Sequence, residues 1–372
     1  MPKGNLSNFI SPWRNFDWWL AAAVFVLTLF GLSALYSVDL GRVDSGLLDF
    51  KKQLVFFSIG IFLMFFIGRF NYVFWRSLSR PFYIFNLLLL VAVLFFGVIV
   101  RGTRGWFYVF GLSFQPVELM KLSLILLLAL FISRRTDRFK SFEFILGSAI
   151  LTITPVILVI LQPDFGSALL LFATWFILIL ASGLRRSHLL ILFLSFVFIF
   201  FIGWFGFFKD YQKERFLTFL DPSRDPLHRG YNITQSIIAV GSGQWLGRGL
   251  GYGSQSQLRF LPETKTDFIF AVIAEELGFV GAGLVLILFL LLFYRLLKIA
   301  ASARDDFGLF TVLGVLAIFV LQFTINVGMN IGLLPVTGIT LPFLSAGGSS
   351  LVVNFLLIGV VQSIARARSV SG

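Results

Sequence analysis

The chain has 372 residues, of which 58% are apolar and only 13% are charged, and its formal net charge is +12. This apolar content is more than the core of a water-soluble protein of this length needs, so we exclude a water-soluble fold. The absence of cysteine excludes disulfides and cysteine-ligated metals. The two histidines, His188 and His228, are far apart in the sequence and argue against a histidine-based metal site.

Long apolar stretches predict an all-α integral membrane protein with about ten transmembrane helices in a single domain, residues 1–372. A helix needs about 20 apolar residues to cross a hydrocarbon layer of about 30 Å. The first stretch is too long for the apolar part of a signal peptide, so we expect a retained span. The predicted spans are 16–37, 53–69, 81–100, 116–133, 142–161, 165–183, 187–208, 267–294, 307–332 and 350–365.

Lysine and arginine in the loops predict that both termini lie in the cytoplasm. With the N-terminus inside, the cytoplasmic segments hold 16 basic residues and the short loops of the other side hold five. This bias follows the positive-inside rule, and an even number of spans returns the C-terminus to the same side. The positive charge is therefore mainly a topology signal, with membrane lipids as a second partner. No nucleic-acid partner is expected.

Between the third and fourth spans, the segment RGTRGW places Arg101 and Arg104 beside Trp106 on the outer side. Two arginines beside an aromatic ring suit the headgroup of a phosphorylated or sugar-bearing lipid. An interfacial anchor of arginine and tryptophan is the equal alternative. The fourth span begins with Glu118 and Lys121, three residues apart on one helix face. They form either a structural ion pair or an electrostatic part of a polar cavity.

Asp164 follows the fifth span, where its carboxylate suits both a cap of the sixth helix and a functional role. A large non-cytoplasmic loop, about residues 209–266, separates spans seven and eight. Apolar residues are interleaved throughout this loop, unlike in a disordered linker. We therefore expect short amphipathic helices and glycine turns on the membrane surface, with a solvated connector as the alternative.

The eighth span opens on Asp267, which the sequence places at the non-cytoplasmic rim of the bilayer. A helix cap is the alternative to a catalytic carboxylate there. Glu275 and Glu276 lie two turns deeper, where each ionisable group costs about 2.5–3.5 kcal/mol. We expect at least one to face the interior, either paired with a base or protonated. The uncharged segment 325–350 is expected to form a re-entrant loop that lines a pocket, with a surface loop as the alternative.

Five segments, in this chain order, resemble the SEDS family of peptidoglycan glycosyltransferases, whose members are RodA and FtsW. The resemblance covers nearly the whole chain, and the ending GVVQSIARAR is more similar to RodA. Val117, Lys265 and Ala346 stand where the family usually has serine, histidine and tyrosine. The segments are FQPVELMKL (114–122), QPDFG (162–166), FLDPSRDPLHRGYNITQS (219–236), QSQLRFLPETKTDFIFAVIAEELG (255–278) and LLPVTGITLPFLSAGGSS (333–350).

The resemblance implies a lipid II polymerase on the outer face of the bacterial cytoplasmic membrane, serving cell elongation and shape. It implies disaccharide units joined into glycan strands, with undecaprenyl pyrophosphate leaving, and a class B penicillin-binding protein (a transpeptidase) as partner. The family's essential aspartate falls on Asp267 and its motif tryptophan on Trp106. The candidate substrate-binding residues are Trp106, Arg101, Arg104, Gln115, Glu118, Lys121, Asp164, Arg215, Arg248 and Ser345.

The residues are compatible with an inverting glycosyl transfer in which Asp267 takes the proton of the attacking hydroxyl. No cofactor is certain; a divalent cation, Mg²⁺ or Mn²⁺, held by carboxylates is one option, although the sequence supplies no ligand set. A lipid II flippase or transporter is the main alternative, and a non-catalytic scaffold for a penicillin-binding protein is the other. The large outer loop that ends at Asp267 favours the enzyme, because a flippase has no evident need for a carboxylate there.

Overall fold

The structure, a computed structural model, describes residues 15–41, 47–100, 102–109, 112–135, 142–183, 210–221, 224, 229–258 and 260–367. The predicted seventh span, 187–208, and the candidate residue Arg101 lie outside the described residues. Arg215 is described only as part of a helix backbone.

Helices dominate the described residues and confirm the all-α membrane class. Eight of them are long and apolar enough to cross a membrane, and the 17-residue α6 is a shorter apolar helix. The count of ten spans stays a prediction. The helices are α1 (Trp18–Leu40), α2 (Leu48–Gly68), α3 (Tyr72–Phe96), α4 (Pro116–Ser133), α5 (Phe142–Leu161), α6 (Phe165–Ala181), α7 (Asp210–Leu220), α8 (Arg229–Ser242), α9 (Ser254–Gln257), α10 (Ile269–Ala301), α11 (Asp306–Asn330) and α12 (Gly348–Arg366).

The third predicted span begins too late, at 81 instead of Tyr72. The side chain of Asn71 accepts a hydrogen bond from the Val73 amide (3.0 Å) and caps the helix. The prediction was late because the basic residues in the first turns of α3 are typical of a loop and Pro81 is typical of a helix start. In the structure the helix continues through Pro81. The second predicted span also begins too late, at 53 instead of Leu48.

A small antiparallel sheet follows α3, and the sequence reading did not anticipate it. Strand β1 (Val98–Val100) pairs with β2 (Thr103–Val109), and β2 pairs with β3 (Leu112–Phe114). Gly102 lies in the tight β1–β2 turn with φ +82°, a left-handed conformation that glycine adopts readily. Strand β2 packs on α3, and the Arg104 amide donates to the carbonyl oxygen of Gln162 in the α5–α6 turn.

Helix α4 lies at the centre of the bundle. Its spanning stretch is 83% buried, whereas those of α2 and α3 are each 28% buried and face outward. It packs against α3, α11 and α12, and α12 packs in turn on α2. A charged pair on α4 is therefore inside protein rather than in lipid.

Helix α10 is interrupted at Gly278, which has φ +65° and ψ −163°. The loop after α8 supplies hydrogen bonds to the interrupted backbone. The amides of Phe279 and Val280 donate to the carbonyl oxygens of Gln244 (2.7 Å) and Trp245 (3.1 Å). A β-carbon on Gly278 would lie 2.2 Å from the amide nitrogen of Gly247, so the two segments can cross this closely only with glycine there. The long loop is thus attached to the helix that follows Asp267.

The connection from α11 to α12 is apolar, and it is buried from Leu341 to Ser345. The first residues of the predicted segment 325–350 continue α11 to Asn330, and irregular backbone fills 331–347. A β-carbon on Gly31, in the middle of α1, would lie 2.5 Å from the carbonyl oxygen of Leu344. The connection therefore enters the bundle to the depth of mid-α1, as expected of a re-entrant loop covered by protein.

Candidate active site

Asp267 precedes α10 by two residues, and hydrogen bonds to its backbone carbonyl fix its position. Its carbonyl oxygen accepts hydrogen bonds from the side-chain amides of Asn326 and Asn330, each over 3.0 Å. Helix α10 has Phe268 as its N-cap residue with no side-chain cap bond, which argues against the capping alternative. The half-buried carboxylate lies near the re-entrant loop, 3.7 Å from where a β-carbon on Gly338 would be.

Asn326 and Asn330 are site residues that sequence reasoning missed. Asn330 Oδ1 also accepts from the Ala271 amide (3.0 Å), in the first turn of α10. Asn326 Nδ2 also donates to the carbonyl oxygen of Ile339 (2.8 Å). The available signal was two amide side chains four residues apart in an apolar helix, because buried polar groups must find partners. Together they fasten Asp267, α10 and the re-entrant loop to α11.

Ser345, a predicted substrate-binding residue, is buried and its hydroxyl has two described bonds. It donates to the carbonyl oxygen of Thr266 (2.6 Å) and accepts from the amide of Leu341 (2.8 Å). In this structure the hydroxyl therefore positions the residue next to Asp267. Substrate binding by Ser345 stays a prediction.

Lys265 lies two residues before Asp267 and pairs with two carboxylates. Its ammonium group contacts the buried Asp39, at the end of α1, and Asp49 Oδ2 at the start of α2 (2.6 Å). The carbonyl oxygen of Lys265 accepts from the Ala346 amide (2.8 Å). This ion-pair group places the α1–α2 connection and the end of the long loop on one face of the bundle.

Asp164 and Gln115 form a second polar group. Asp164 caps α6 by accepting from the Ser167 amide (3.0 Å) and hydroxyl (2.8 Å), and Oδ2 also accepts from Gln115 Nε2 (3.0 Å). Asp164 therefore caps α6, as one of the two predictions held, and also accepts a hydrogen bond from Gln115. Burial raises the pKa of the Asp164 carboxyl, although the bonds from Ser167 oppose this shift. The amide of Arg104 donates to the carbonyl oxygen of Gln162 (3.2 Å), which brings the sheet onto this turn.

Glu118 and Lys121 form a buried ion pair on α4, with Lys121 Nζ 2.8 Å from Glu118 Oε1. Their side chains are only 6% and 2% exposed, so the pair is desolvated. Glu118 Oε2 is buried and has no hydrogen-bond partner among the described residues. Both charges act electrostatically on Asp164, so the pair is close to the α5–α6 turn. A structural ion pair and an electrostatic part of a polar cavity both stay predictions for these two residues.

The re-entrant loop approaches both the start of α6 and the Asp267 carboxylate. A β-carbon on Gly166, in the first turn of α6, would lie 3.0 Å from the carbonyl oxygen of Thr337. The next residue, Gly338, faces the Asp267 carboxylate. Gly166, two residues after Asp164, and the Asp267 carboxylate therefore face neighbouring residues of the loop, although 103 positions separate the two aspartates in the sequence.

Three other predicted residues lie on the small sheet and in the long loop. Trp106 is half-buried in β2, opposite Val98. Arg104 is exposed, with Nη1 3.4 Å from the carbonyl oxygen of Leu94. Arg248 is exposed as well and donates to the hydroxyl of Ser254 (2.8 Å).

Glu275 and Glu276 are both buried, and their described partners are neutral. Glu275 accepts from the amides of Gln255 (2.8 Å) and Ser256 (3.1 Å) at the start of α9. Glu276 accepts from the hydroxyl of Ser37 (2.6 Å). Both residues face the interior, and the described contacts include no base. The two carboxylates therefore hold the long loop against α10 and α1.

A divalent cation finds no ready ligand set in the described residues. Among them, no three His, Cys, Asp or Glu side chains are grouped as a metal site requires. The cation therefore stays a prediction, and no chemical step is derived through it.

Comparison with known proteins decides the family. Residues 17–370 match the family model FtsW/RodA/SpoVE, described as cell cycle protein. The chain belongs to this family. It is 38% identical over 342 residues to the peptidoglycan glycosyltransferase MrdB of Escherichia coli K12, covering 91% of each chain.

Two solved structures share the fold over nearly the whole chain. One, described as structural coordination of polymerization and crosslinking by a peptidoglycan synthase complex, has 32% identity and a TM-score of 0.81, covering 96% of this chain and 100% of that one. The other, the rod shape determining protein RodA of Thermus thermophilus, has 29% identity and a TM-score of 0.71, covering 96% and 98%. These similarities confirm the SEDS resemblance and a multi-pass membrane protein.

Proposed function

We propose that this chain is a peptidoglycan glycosyltransferase that polymerises lipid II, with Asp267 as its catalytic residue. The observation that carries the proposal is the placement of Asp267, whose backbone is fixed by two buried amides while its carboxylate borders the re-entrant loop. The name of the Escherichia coli relative supports the same reaction class.

The proposed reaction is an inverting displacement. The 4-hydroxyl of the acceptor sugar attacks the anomeric carbon of the donor, the bond from that carbon to the pyrophosphate oxygen breaks, and undecaprenyl pyrophosphate leaves with the bonding electrons. The Asp267 carboxylate takes the hydroxyl proton, a contribution of about 10²–10⁴ in rate. Attack from the side opposite the leaving group converts the α-linkage of the donor into a β-linkage.

The leaving pyrophosphate needs counter-charge. Lys121 is buried on α4 close to Asp164, and Arg104 lies on the sheet above the α5–α6 turn. We assign the donor pyrophosphate to this side of the site, with Gln115 as a hydrogen-bond donor that Asp164 orients by accepting from its Nε2. Arg101, Arg215 and Arg248 are further candidates, and Trp106 is the candidate for stacking on a sugar.

The proposal places the protein in the bacterial cytoplasmic membrane, with both termini in the cytoplasm and Asp267 on the outer face. The ion pairs of Lys265 with Asp39 and Asp49 support placing Asp267 on the same face as the end of α1 and the start of α2, because Lys265 lies two residues before Asp267. A class B penicillin-binding protein is the proposed partner, supported by the synthase complex that shares the fold. The resemblance to RodA favours a role in elongation and cell shape.

Polymerisation of labelled lipid II by the purified protein tests the function. We expect glycan ladders from the wild type and a loss of about 10²–10⁴-fold in rate with Asp267→Asn. Glu143→Gln, an exposed carboxylate at the start of α5, is the matched control and should keep full activity. A folded Asp267→Asn variant with wild-type rate would exclude the general-base role.

The same assay separates the alternatives. Headgroup crossing in vesicles without any polymer would identify a flippase. Polymerisation by the purified protein together with a transpeptidase-inactive partner tests the scaffold, which predicts that no polymer forms under these conditions. Chelation by EDTA followed by Mg²⁺ or Mn²⁺ tests the proposed cation, which predicts loss and recovery of the ladders.

A further inference from the structure

A basic cavity of about 290 Å³ lies at the opposite end of the bundle from Asp267. Helix α10 begins two residues after Asp267 and ends three residues before Arg304, which lines the cavity. Arg69 at the end of α2 and Arg366 at the end of α12 line it too, with Asn71 as a polar neighbour. Its volume is close to the lower end, about 300 Å³, of small-molecule sites.

Arginines are the charged side chains among the described residues that line this cavity. Arg69 and Arg366 are close enough to repel each other, and the described lining residues include no acid. Asp305 follows Arg304 and accepts from the hydroxyl of the lining residue Tyr72 (3.4 Å), but its carboxylate also accepts from Arg76 (3.3 Å) and from the amide of Gly308 (2.9 Å). Arginines that converge from three chain segments on one cavity are suited to hold an anion, above all a phosphate.

An exposed row of phenylalanines leads along the surface to this cavity. Phe62, Phe66, Phe70 and Phe74 contact one another in succession, with ring centroids 5.8, 5.1 and 5.4 Å apart. Each is between 39% and 66% exposed, and Phe70 also lines the cavity. The row runs from within α2 to the first turn of α3, and its third ring, Phe70, lies beside the arginines that line the cavity.

We propose that this cavity binds the headgroup phosphate of an anionic phospholipid, whose acyl chain lies along the phenylalanine row. Charge selects the headgroup, because three arginines favour a net negative lipid over a zwitterionic one. The apolar row selects a lipid over a free phosphate, which has no use for it. The site is independent of the proposed catalysis, since it lies at the other end of α10.

Native mass spectrometry of the purified protein tests the site, with phosphatidylglycerol and phosphatidylcholine added separately. We expect the wild type to retain phosphatidylglycerol preferentially. Arg69→Gln and Arg304→Gln should each weaken that retention about fivefold or more, the effect of one arginine near a lipid phosphate. Arg80→Gln makes the same charge change on an exposed part of α3 and should behave as the wild type. Arg366 is left intact because it also donates to the carbonyl oxygen of Gly68 (2.7 Å).

Three outcomes overturn the proposal. Equal retention of the two lipids by the wild type excludes selection by charge. An unchanged preference in folded Arg69→Gln and Arg304→Gln variants excludes this cavity as the site. Finally, inorganic phosphate replaces the lipid in a thermal-unfolding measurement. Equal protection of the wild type by inorganic phosphate and by phosphatidylglycerol, with loss of the phosphate effect in both variants, identifies a free-phosphate site instead of a lipid site.

Discussion

Asn330 Nδ2 donates a hydrogen bond to the carbonyl oxygen of Asp267 over 3.0 Å. The same side chain accepts from the Ala271 amide. One residue at the end of α11 therefore holds both the proposed catalytic residue and the first turn of α10. The position of Asp267 is therefore set from outside its own segment.

Truncation of Asn330 tests this dependence. Asn330→Ala leaves the Ala271 amide without its described partner, at a cost of about 1–3 kcal/mol, and removes one of the two side-chain amides that hold the Asp267 carbonyl oxygen. We expect a lower thermal transition in detergent and slower polymerisation, although Asp267 is unchanged. Thr311→Val is the control on the same helix, because the Thr311 hydroxyl is buried without a described hydrogen-bond partner. It should be neutral or stabilising, and equal losses in the two variants would contradict the assigned role of Asn330.

The Lys265 ion pairs should be unequal in energy. The Asp39 side chain is fully buried, whereas that of Asp49 is 47% exposed. Lys265→Met leaves Asp39 as a buried charge without its cation, a loss of about 3–5 kcal/mol. Asp49→Asn removes an exposed partner and should cost about 0–1 kcal/mol. Thermal unfolding of the two variants measures the difference, and similar losses would show that burial does not control this group.

Single and double substitutions distinguish the two readings of the pair on α4. Glu118→Leu or Lys121→Met alone leaves one buried charge unpaired and should destabilise the protein by about 3–5 kcal/mol. The double variant removes both charges and should recover most of that stability. Polymerisation by the folded double variant then decides: wild-type activity means a structural ion pair, and loss of activity means that the charges serve the cavity.

Gly278→Ala should detach the long loop from α10. The added β-carbon would meet the Gly247 amide nitrogen at 2.2 Å in a left-handed backbone conformation, so the loop must move. We expect faster hydrogen exchange and proteolysis within 243–258. Gly283→Ala, five residues farther along α10, has open space at the β-carbon and should be neutral or slightly stabilising. Unchanged exchange in the Gly278→Ala variant would contradict the contact.

The fold class was predictable because it depends on local signals, and local signals also selected several candidate site residues. Apolar stretches of helical length determined the membrane class, and the α4, α5 and α6 bounds were close because Pro116 and Asp164 mark helix starts. Motif order in the sequence determined the family. Asp267 stood out because a carboxylate at the start of an apolar span is costly.

Tertiary structure decided what no local pattern contains. The amides of Asn326 and Asn330 acquire their role only when α11 passes beside Asp267, and Lys265 acquires its partners only when α1 and α2 meet the long loop. The α3 start and the sheet that carries Trp106 were missed because short strands and a basic helix end resemble loops. Individual sequence signals report on a residue and its near neighbours, whereas desolvated hydrogen bonds and ion pairs depend on which distant segments share the same buried space.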